Sequence, residues 1–423
     1  MTVLASSFVL LLVLGMPIAF SLGLAGVAYV VTHTSLPVLV AFQRMFTGVD
    51  SFPFMAIPFF MLAGALMNAG GLADRIIVLS RALVGHLPGG LANVSIVASM
   101  FFAGVSGSSV ADASGLGSIL IPAMKREKYG SGFSAAVNAT SSTVGIIIPP
   151  SIPMILTGVA TALSIRELFF GGAVPGILAG LSMLALTTVI SRRRGYAHYR
   201  RATGGELARA ILQGLPALFM VVIILGGIMG GIFTPTEASV VAVLYALILG
   251  LIYREITWQR LKDALLDSAV SAAVVMMVIS TAALITWLLA YSMVPQRLAA
   301  ALSTVISSPT VLLLILGVAF LVAGTFLDVS PGVILFGPIL LPVVQAVGAD
   351  PIHFAVIMVF ALAIGLFTPP VGTTLIISSY LAKVPVLQVA RESLPYLVVM
   401  VILLFVIIFV DDLALWLPGL LFH

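Results

Sequence analysis

Two pairs of interruptions in otherwise apolar stretches constrain what this chain can fold into. A glycine- and serine-rich break at 103–112 precedes a proline pair at 149–150, and a second break at 323–332 precedes a proline pair at 369–370. An offset of 220 residues relates the two pairs and aligns at least seven identical residues. These identities join Ala103 to Ala323, Gly104 to Gly324, Pro122 to Pro342, Gly145 to Gly365, Pro149 to Pro369, Pro150 to Pro370 and Pro175 to Pro395. The repetition indicates an internal duplication.

The composition around these breaks is that of a membrane protein. Hydrophobic residues make up 61% of the 423-residue chain and charged residues 8%, whereas soluble domains contain about 25% charged residues. Broken backbone at membrane depth must be buried in protein or line a polar cavity, and paired breaks in two halves are typical of a transporter's binding site. The sequence has no cysteine, which excludes disulfides, thiolate metal sites and thiol nucleophiles.

Hydropathy predicts an all-α polytopic membrane protein built from two repeats, over 1–205 and 206–423. A spanning helix needs roughly 20 apolar residues, and each repeat holds a longer stretch whose central break suits a re-entrant hairpin. The predicted hairpins cover 91–124 and 310–344, and the predicted broken transmembrane helices cover 131–161 and 351–380. The other predicted spans lie near 3–15, 17–32, 52–70, 168–190, 212–233, 236–253, 269–292 and 394–411, with amphipathic segments at 36–48, 71–90, 254–267 and 295–307.

The distribution of positive charge predicts that the two repeats are inverted. Five crossings and one returning hairpin in each repeat make the second repeat enter the membrane from the opposite side. With the basic segment 192–201 in the cytoplasm, sixteen of the nineteen Lys and Arg residues lie in cytoplasmic segments, as the positive-inside rule requires. The first hairpin then opens to the cytoplasm, the second opens to the outside, and both termini are external. Because the basic residues lie in loops, the net charge of +4 does not indicate a nucleic-acid partner.

Three acidic residues, Asp112, Asp328 and Glu237, fall at or near membrane depth, where ionisable groups are costly and usually functional. Asp328 lies in the second break beside Ser330, and we expect it to support an ion or substrate site rather than only to cap the following helix. Asp112 lies one turn into the helix after Ser108, and both capping and a direct role are open for it. Glu237 follows a Thr-Pro-Thr turn, which favours an N-terminal cap.

The hydroxyl groups of the two breaks suit a hard monovalent cation. Sodium needs several oxygen ligands, which Ser and Thr hydroxyls and unwound carbonyls supply, while helix N-termini beside them attract an anion. The alternative for Ser106, Ser108 and Ser109 is that these small residues only let helices approach closely. Their pairing with the first proline pair and the repetition of the plan later in the chain favour a binding site.

Catalytic signatures are missing from the sequence. It carries no Walker A motif, nucleophile elbow, HExxH motif or metal-ligand cluster, so it indicates neither an enzyme nor ATP hydrolysis. Energy for transport would then come from an ion gradient or from the substrate's own gradient. A channel is a further alternative, but duplicated hairpins that open to opposite sides favour alternating access.

The motifs GVSGSSVAD at 104–112, IIPPS at 147–151 and FTPPVG at 367–372 resemble those of the large membrane subunit of tripartite ATP-independent periplasmic (TRAP) transporters, in the ion transporter superfamily. The resemblance covers essentially the whole chain. It implies two inverted repeats that form an elevator moving against a scaffold, in the bacterial inner membrane. It also implies sodium-driven uptake of an organic acid, such as a dicarboxylate or a sialic acid, with no organic cofactor. The implied partners are a periplasmic substrate-binding protein and a separate small four-helix membrane subunit.

By position, the resemblance implies two sodium sites and a substrate site between the tips. The first sodium site would be formed by Ser106, Ser108, Ser109, Gly145 and Ile148. The second would be formed by Gly324, Thr325, Asp328, Gly365 and Thr368. The substrate would lie near Ser108, Pro150, Ser151, Asp328, Thr373 and Thr374. Within transport, the alternative is a stand-alone ion-coupled carboxylate carrier that needs no binding protein.

Overall fold

The structure is a computed structural model, and the part of the chain that it describes consists of helices joined by turns and loops. That part comprises residues 2–297, 300 and 308–422, and it contains no β-strand. Seven of its helical segments are long and apolar enough to cross a membrane, which agrees with an all-α polytopic protein. These seven are Phe52–Ala69, Ile165–Arg194, Gly204–Met229, Pro235–Ile252, Trp258–Tyr291, Val329–Ala346 and Val386–Phe409.

The helices of the first half follow the predicted order. They are α1 (Thr2–Val13), α2 (Ile18–His33), α3 (Leu39–Thr47), α4 (Ala56–Ala69), α5 (Leu72–Val84), α6 (Gly90–Ser106), α7 (Ser109–Arg126), α8 (Ser131–Ser141), α9 (Ile152–Thr161) and α10 (Ile165–Arg194). Short 3-10 helices precede α4, at Phe52–Met55, and follow α8, at Ser142–Ile146.

The second half differs from the prediction in two elements. Its helices are α11 (Gly204–Met229), α12 (Pro235–Ile252), α13 (Trp258–Tyr291), α14 (Pro309–Gly324), α15 (Val329–Ala346), α16 (Pro351–Gly365), α17 (Thr373–Ala382), α18 (Val386–Phe409) and α19 (Asp412–Phe422). The predicted connector 254–267 and span 269–292 were expected to be separate, but α13 joins them because no glycine or proline interrupts its 34 residues. The helix α19 lies beyond the last predicted span. Most of the predicted surface segment 295–307 lies outside the described residues.

Both predicted hairpins form. Helices α6 and α7 meet at Gly107, whose φ of +58° turns the chain back in a conformation that glycine adopts without strain. Helices α14 and α15 meet at the short connection 325–328. The duplication is visible at the same offset of 220 residues, since α7 begins at Ser109, α15 begins at Val329, and both proline pairs have cis peptide bonds.

The two hairpins begin at opposite ends of the molecule. Helix α18 runs between these ends: Glu392 pairs with Arg194 at 2.8 Å near its start, and the carbonyl of Ile407 accepts a hydrogen bond from Nε2 of His353 at 2.8 Å near its end. The first hairpin begins at the Glu392 end, since the N–H of Gly90 donates to the linker that follows α10. The second begins at the His353 end, because Pro309, the first residue of α14, lines the same cavity as His353. The two hairpins therefore start from opposite ends of the molecule, as two inverted repeats require.

We call the end of the molecule that holds the linker 195–203 the basic side. Tyr199 fixes this linker: its N–H donates to the carbonyl of Gly85 at 2.9 Å, its hydroxyl donates to Glu127, and the guanidinium of Arg81 lies 3.9 Å from its ring centre. Burial, followed by the neighbouring carboxylate, raises the pKa of Tyr199 to about 12. The phenol therefore stays protonated and able to donate at physiological pH.

The helices form two groups. Helices α2, α3, α4, α12 and α13 belong to one group, and α11 packs against α5 beside it. In the other group the two halves interlock, because α9 packs against α15 while α17 packs against α7 and α8. The amide of Asn138 on α8 donates to the carbonyl of Ala113 and to the hydroxyl of Ser378, both at 2.9 Å. The hairpins and broken helices of both halves thus share one core.

Glu237 caps α12, in agreement with the sequence. Its carboxylate accepts a hydrogen bond from the N–H of Thr234 at 2.8 Å, while the hydroxyl of Thr234 accepts one from the N–H of Glu237 at 3.3 Å. This reciprocal capping box satisfies backbone donors that the first turn of the helix leaves free.

Candidate transport site

The tips of the two hairpins meet across a cavity of about 50 Å³. Ser108 and Ser109 line this cavity from the first tip, and Asp328 and Ser330 line it from the second. Met61 of α4 lines the cavity from the other group of helices. The two hairpin tips, which lie far apart in the sequence, are therefore adjacent in space.

Three helices begin beside this cavity. Helix α7 begins after Ser108, α9 after Ser151 and α15 after Asp328, and each of these side chains accepts a hydrogen bond from the first turn of its own helix. The donating N–H groups belong to Ala111 at 3.4 Å, Met154 at 3.3 Å and Ser330 at 3.4 Å. The positive ends of three helix dipoles converge on one small volume, which favours an anionic ligand.

Asp112 lies fully buried between the first tip and the first broken helix. Its Oδ1 accepts a hydrogen bond from the hydroxyl of Ser106, and its Oδ2 has no hydrogen-bond partner among the described residues. That Oδ2 faces Gly145 so closely that a β-carbon there would overlap it. Ser108 caps α7, so capping does not explain Asp112. A bound cation would stabilise this buried carboxylate, whose charge is otherwise costly to bury.

The structure thus brings Ser106 and Gly145, two residues of the predicted first sodium site, together at Asp112. Ser109 lies at the same tip and is 5% exposed. The N–H of Ile148 donates to the carbonyl of Val144 at 3.1 Å, so only its own carbonyl is available as a ligand. Sequence reasoning did not include Asp112 in this site. Its position one turn after the serine-rich tip was the available signal.

Close backbone contact characterises the second predicted sodium site. Gly324 ends α14 and Gly365 ends α16, and a β-carbon at Gly365 would overlap the backbone of Gly324. The N–H of Val371 donates to the carbonyl of Thr325 at 3.2 Å. This bond joins the second hairpin tip to the break in the second broken helix, at the proline pair 369–370. The hydroxyls of Thr325 and Thr368 donate to carbonyls of their preceding turns at 2.8 Å and 2.7 Å. Their lone pairs remain free to contact a cation.

Ser151 and Thr374, both predicted to contact the substrate, are fully buried. The hydroxyl of Ser151 donates to the carbonyl of Ile146 at 2.5 Å, and the hydroxyl of Thr374 donates to the carbonyl of Leu366 at 2.9 Å. Each bond spans one break and satisfies a carbonyl that the interrupted helix leaves free. The two hydroxyls therefore hold the breaks in shape.

The other four residues predicted for the substrate lie closer to the tips. Ser108 and Asp328 line the small cavity. Pro150 is buried with its carbonyl against Gly107, so the break in the first broken helix packs against the first hairpin tip. Thr373 begins α17 near Asp328, and its hydroxyl oxygen is buried without a hydrogen-bond partner among the described residues. The role of these residues in binding stays a prediction.

A second cavity, of about 250 Å³, adjoins the first and shares Met61, Ser108 and Val110 with it. It is lined across from the first tip by Asn68 of α4 and Ser271 of α13. Sequence reasoning missed these helices as part of the site. A methionine, an asparagine or a serine on a long helix carries no signal of its own, because such residues occur along many helices of this chain.

Comparison with known proteins identifies the family. The family model described as "Tripartite ATP-independent periplasmic transporter, DctM component" matches residues 5–413. The isethionate TRAP transporter permease protein DctMQ of Oleidesulfovibrio alaskensis is 40% identical, over 99% of this chain and 66% of its own length. The 2,3-diketo-L-gulonate TRAP transporter large permease protein YiaN of Escherichia coli is 39% identical, over 95% and 94%. The sialic acid TRAP transporter large permease protein SiaM of Vibrio cholerae is 38% identical, over 97% and 96%.

Among solved structures, the fold is similar to that of the Alcanivorax borkumensis YdaH transporter, with a TM-score of 0.61 and 15% sequence identity over 89% of each chain. This similarity concerns the fold alone. The family match and the relatives extend over the hairpins, the broken helices and the surrounding helices alike. This chain therefore belongs to the DctM component family of the tripartite ATP-independent periplasmic transporters, as a large permease subunit.

Proposed function

We propose that this permease imports an organic acid, such as a dicarboxylate, a sialic acid or a similar carboxylate, together with sodium. The observation that carries the proposal is the convergence of the N-termini of α7, α9 and α15 on the cavity between the two tips. Free N–H groups at helix N-termini bind carboxylates. Relatives named for isethionate, 2,3-diketo-L-gulonate and sialic acid also support an acidic substrate.

The two carboxylates near this cavity support the proposed sodium coupling. Among the described residues, Oδ2 of Asp112 has no hydrogen-bond partner beside the first broken helix, and Asp328 lines the cavity from the second tip. An anionic substrate adds negative charge to this region, so a cation beside each carboxylate lowers the electrostatic cost of binding. Because coupling between two ligands is reciprocal, bound sodium raises the affinity for the acid and the bound acid raises the affinity for sodium.

The first sodium would be held by the carboxylate of Asp112, the hydroxyl of Ser106 and backbone carbonyls near Gly145. The second would be held by Asp328 with the hydroxyls or carbonyls around Thr325, aided by the close contact of the two breaks. These groups supply the hard oxygen ligands that suit an alkali cation. The serine and threonine hydroxyls keep free lone pairs for this purpose.

Alternating access would come from movement of the interlocked hairpin group against α4, α12 and α13, as in an elevator. The hairpins begin at opposite ends, so each tip can gate access from one side. In this proposal the membrane is the bacterial inner membrane, the basic side is cytoplasmic, and both termini are periplasmic. The family name describes a tripartite system. The two further components would be a small four-helix membrane subunit and a periplasmic binding protein that delivers the substrate.

Uptake into proteoliposomes tests the proposal. Vesicles would contain the permease, the small membrane subunit and, outside, the binding protein, and they would receive a panel of labelled carboxylates and sialic acid. We expect one acid to accumulate only when sodium is directed inward. An equal rate with potassium in place of sodium would contradict sodium coupling, and a requirement for a proton gradient would assign the titration to Asp112 and Asp328.

Omission of single components distinguishes a tripartite transporter from a stand-alone carboxylate carrier. We expect uptake to disappear without the binding protein or without the small subunit. Sodium-driven uptake by the permease alone would instead identify a stand-alone carboxylate carrier.

A further inference from the structure

Two connected cavities lead from the first hairpin tip to the basic side of the molecule. The inner cavity, of about 250 Å³, begins at Ser106 and Ser108 and lies between α7 and the helices α4 and α13. The outer cavity, of about 370 Å³, shares Asn68 and Asp267 with the inner one. It ends at α5, whose Arg81 contacts the linker of the basic side, and at the turn between α12 and α13. We name these two cavities the vestibule.

Acidic side chains dominate the vestibule. Asp74, Glu255, Asp263 and Asp267 line it, and Arg260 is the one basic residue among its described lining residues. Arg260 pairs with Glu255 at 3.1 Å, so these two charges cancel. The other three carboxylates have no ion-pair partner in the described part of the chain. The vestibule therefore carries net negative charge on the side of the molecule that holds most of the positive charge.

One further cation, Arg75, borders the outer cavity without lining it. Arg75 follows Asp74 on α5, but its guanidinium lies 3.7 Å from the ring centre of Tyr253 and its Nη1 donates to the carbonyl of Gly71 at 2.8 Å. Arg75 lines a neighbouring cavity and is not among the residues that line the vestibule. Arg75 can therefore offset part of the charge of Asp74, because Gly71 lines the outer cavity, whereas Asp263 and Asp267 have no ion-pair partner among the described residues.

The inner end of the vestibule reaches the first candidate cation site. Ser106 lines the inner cavity, and its hydroxyl donates to Oδ1 of Asp112. The other oxygen of this carboxylate is buried and has no hydrogen-bond partner in the described residues. The side chain of Ser106 therefore links the vestibule to the carboxylate of Asp112, whose unpartnered Oδ2 a cation would satisfy and an anion would not.

We infer that the vestibule is the inner access path of the first cation site, and that Asp263 and Asp267 make this path selective for cations over carboxylate anions. Fixed charges of one sign in a cleft with low-dielectric walls focus the field and raise the local concentration of the opposite ion. The identity of the cation as sodium rests on the proposed function, whereas the selectivity does not. A released acid would re-enter slowly from the cytoplasm, while sodium would exchange through the same opening.

Thiol labelling measures this selectivity without transport, because the chain has no cysteine of its own. Ser271→Cys would place one thiol in the inner cavity, and its reaction rates with cationic and anionic methanethiosulfonates would be normalised to those of free 2-mercaptoethanol. We expect a preference of roughly fivefold or more for the cationic reagent, since surface potentials in such clefts reach several kT. The preference should weaken at about 1 M salt, where the Debye length is about 3 Å.

Charge-neutral variants identify the source of the preference. In the Ser271→Cys background, Asp263→Asn with Asp267→Asn should bring the preference close to unity. The matched control is Glu206→Gln, which changes an exposed acid on the basic side but outside the vestibule. This variant should keep the preference for the cationic reagent. Ser114→Cys, in the inner cavity on α7, repeats the measurement if the first variant does not fold. Equal rates for both reagents, or a preference that survives the double substitution, would overturn the selectivity.

Sidedness tests the path. In vesicles of defined orientation, the double substitution should raise the half-maximal sodium concentration at the basic side by roughly threefold or more, with no change at the other side. Equal changes at both sides, or none, would overturn the access path. Sodium-independent uptake by the unsubstituted permease would contradict the proposed function but not the cation selectivity of the vestibule, because thiol labelling does not require transport.

Discussion

Asp112 and Glu237 are two acids near helix starts with different tasks. Glu237 bonds to its own turn, and the sequence Thr-Pro-Thr-Glu is enough to predict that. Asp112 bonds to Ser106 across the first tip and faces Gly145 on another element. No local pattern contains that second contact, because it depends on how the first hairpin packs against the first broken helix. Capping could therefore be predicted from sequence, whereas the complete first site could not.

Asp112→Asn should impair sodium coupling while it preserves shape. The amide oxygen can still accept the hydrogen bond from Ser106, but the negative charge is gone. We expect sodium-dependent uptake at low sodium to fall about 10- to 100-fold, since interactions with a charged group contribute about 1.5–3 kcal/mol. Initial uptake rates over a range of sodium concentrations would measure the change. Asp411→Asn, on an exposed acid, is the control, and an unchanged half-maximal sodium concentration in Asp112→Asn would contradict the assignment.

Asp328→Ala should abolish or sharply weaken sodium-driven uptake, because it removes the only carboxylate that lines the small cavity among the described residues. It also removes a helix cap, which contributes about 1 kcal/mol. Asp328→Ser keeps a capping side chain and should lose sodium dependence with little change in thermal stability. Asp350→Ala removes a cap alone, since Asp350 accepts the N–H groups of Ile352 and His353 at 2.7 Å and 3.0 Å.

That comparison separates the two roles of Asp328. If both Asp328 variants retain the sodium dependence of the unsubstituted permease, the carboxylate is only a cap. Uptake that fails in Asp350→Ala to the same extent would attribute the loss to helix stability instead.

At the scale of elements, each hairpin tip packs against the proline break of a broken helix. The carbonyl of Pro150 lies against Gly107, and the carbonyl of Thr325 accepts the N–H of Val371. The sequence predicted these elements because glycines, serines and proline pairs interrupt apolar helices in a recognisable way. Each tip therefore depends on its neighbouring break for its shape.

Ser108→Leu should block transport by filling the space between the tips. Ser108 lines both the small cavity and the inner cavity, so a leucine side chain would obstruct both. Uptake rates and the amount of folded protein would be measured together. Ser118→Leu, on an exposed position of the same helix, should transport normally. Rates like those of the unsubstituted permease in Ser108→Leu would refute the location of the site at the tips.

Gly365→Ala should destabilise the contact between α14 and α16. The added β-carbon would overlap the backbone of Gly324, which cannot rotate away as a side chain can. Overpacking of this kind costs about 1–3 kcal/mol, so we expect a lower midpoint of thermal unfolding in detergent. Gly226→Ala is the matched control, because among the described residues nothing beyond the nearby backbone of its own helix lies within 4 Å of its added β-carbon. Equal midpoints for the two variants would show that the contact tolerates a side chain.

Helix α13 marks what the sequence could not predict about elements. Its 34 residues extend about 51 Å at 1.5 Å per residue, well beyond a hydrocarbon core of about 30 Å. The amphipathic start therefore continues the axis of the span rather than lying along the surface. Polarity alone does not distinguish these two directions, since both expose one face to water.

At the scale of the whole molecule, charge and hairpin direction predict one orientation. Single cysteines at His198→Cys, in the linker of the basic side, and at Asp412→Cys, at the start of α19, would report it in a chain without other cysteines. An impermeant thiol reagent added to intact cells should label Asp412→Cys and not His198→Cys. In inside-out vesicles, the pattern should reverse. Labelling of His198→Cys in intact cells would invert the proposed orientation.

The interlocked core has a consequence for how such a chain could arise. Asn138 reaches from α8 to Ser378 on α17, so each half completes its packing only against the inverted other half. An ancestor of half this length would have needed a second copy that entered the same membrane upside down. Such a chain would carry few and evenly distributed loop arginines, so that both orientations form. Fusion of the two copies would fix one direction for each half and leave its loop charges free to specialise for that direction.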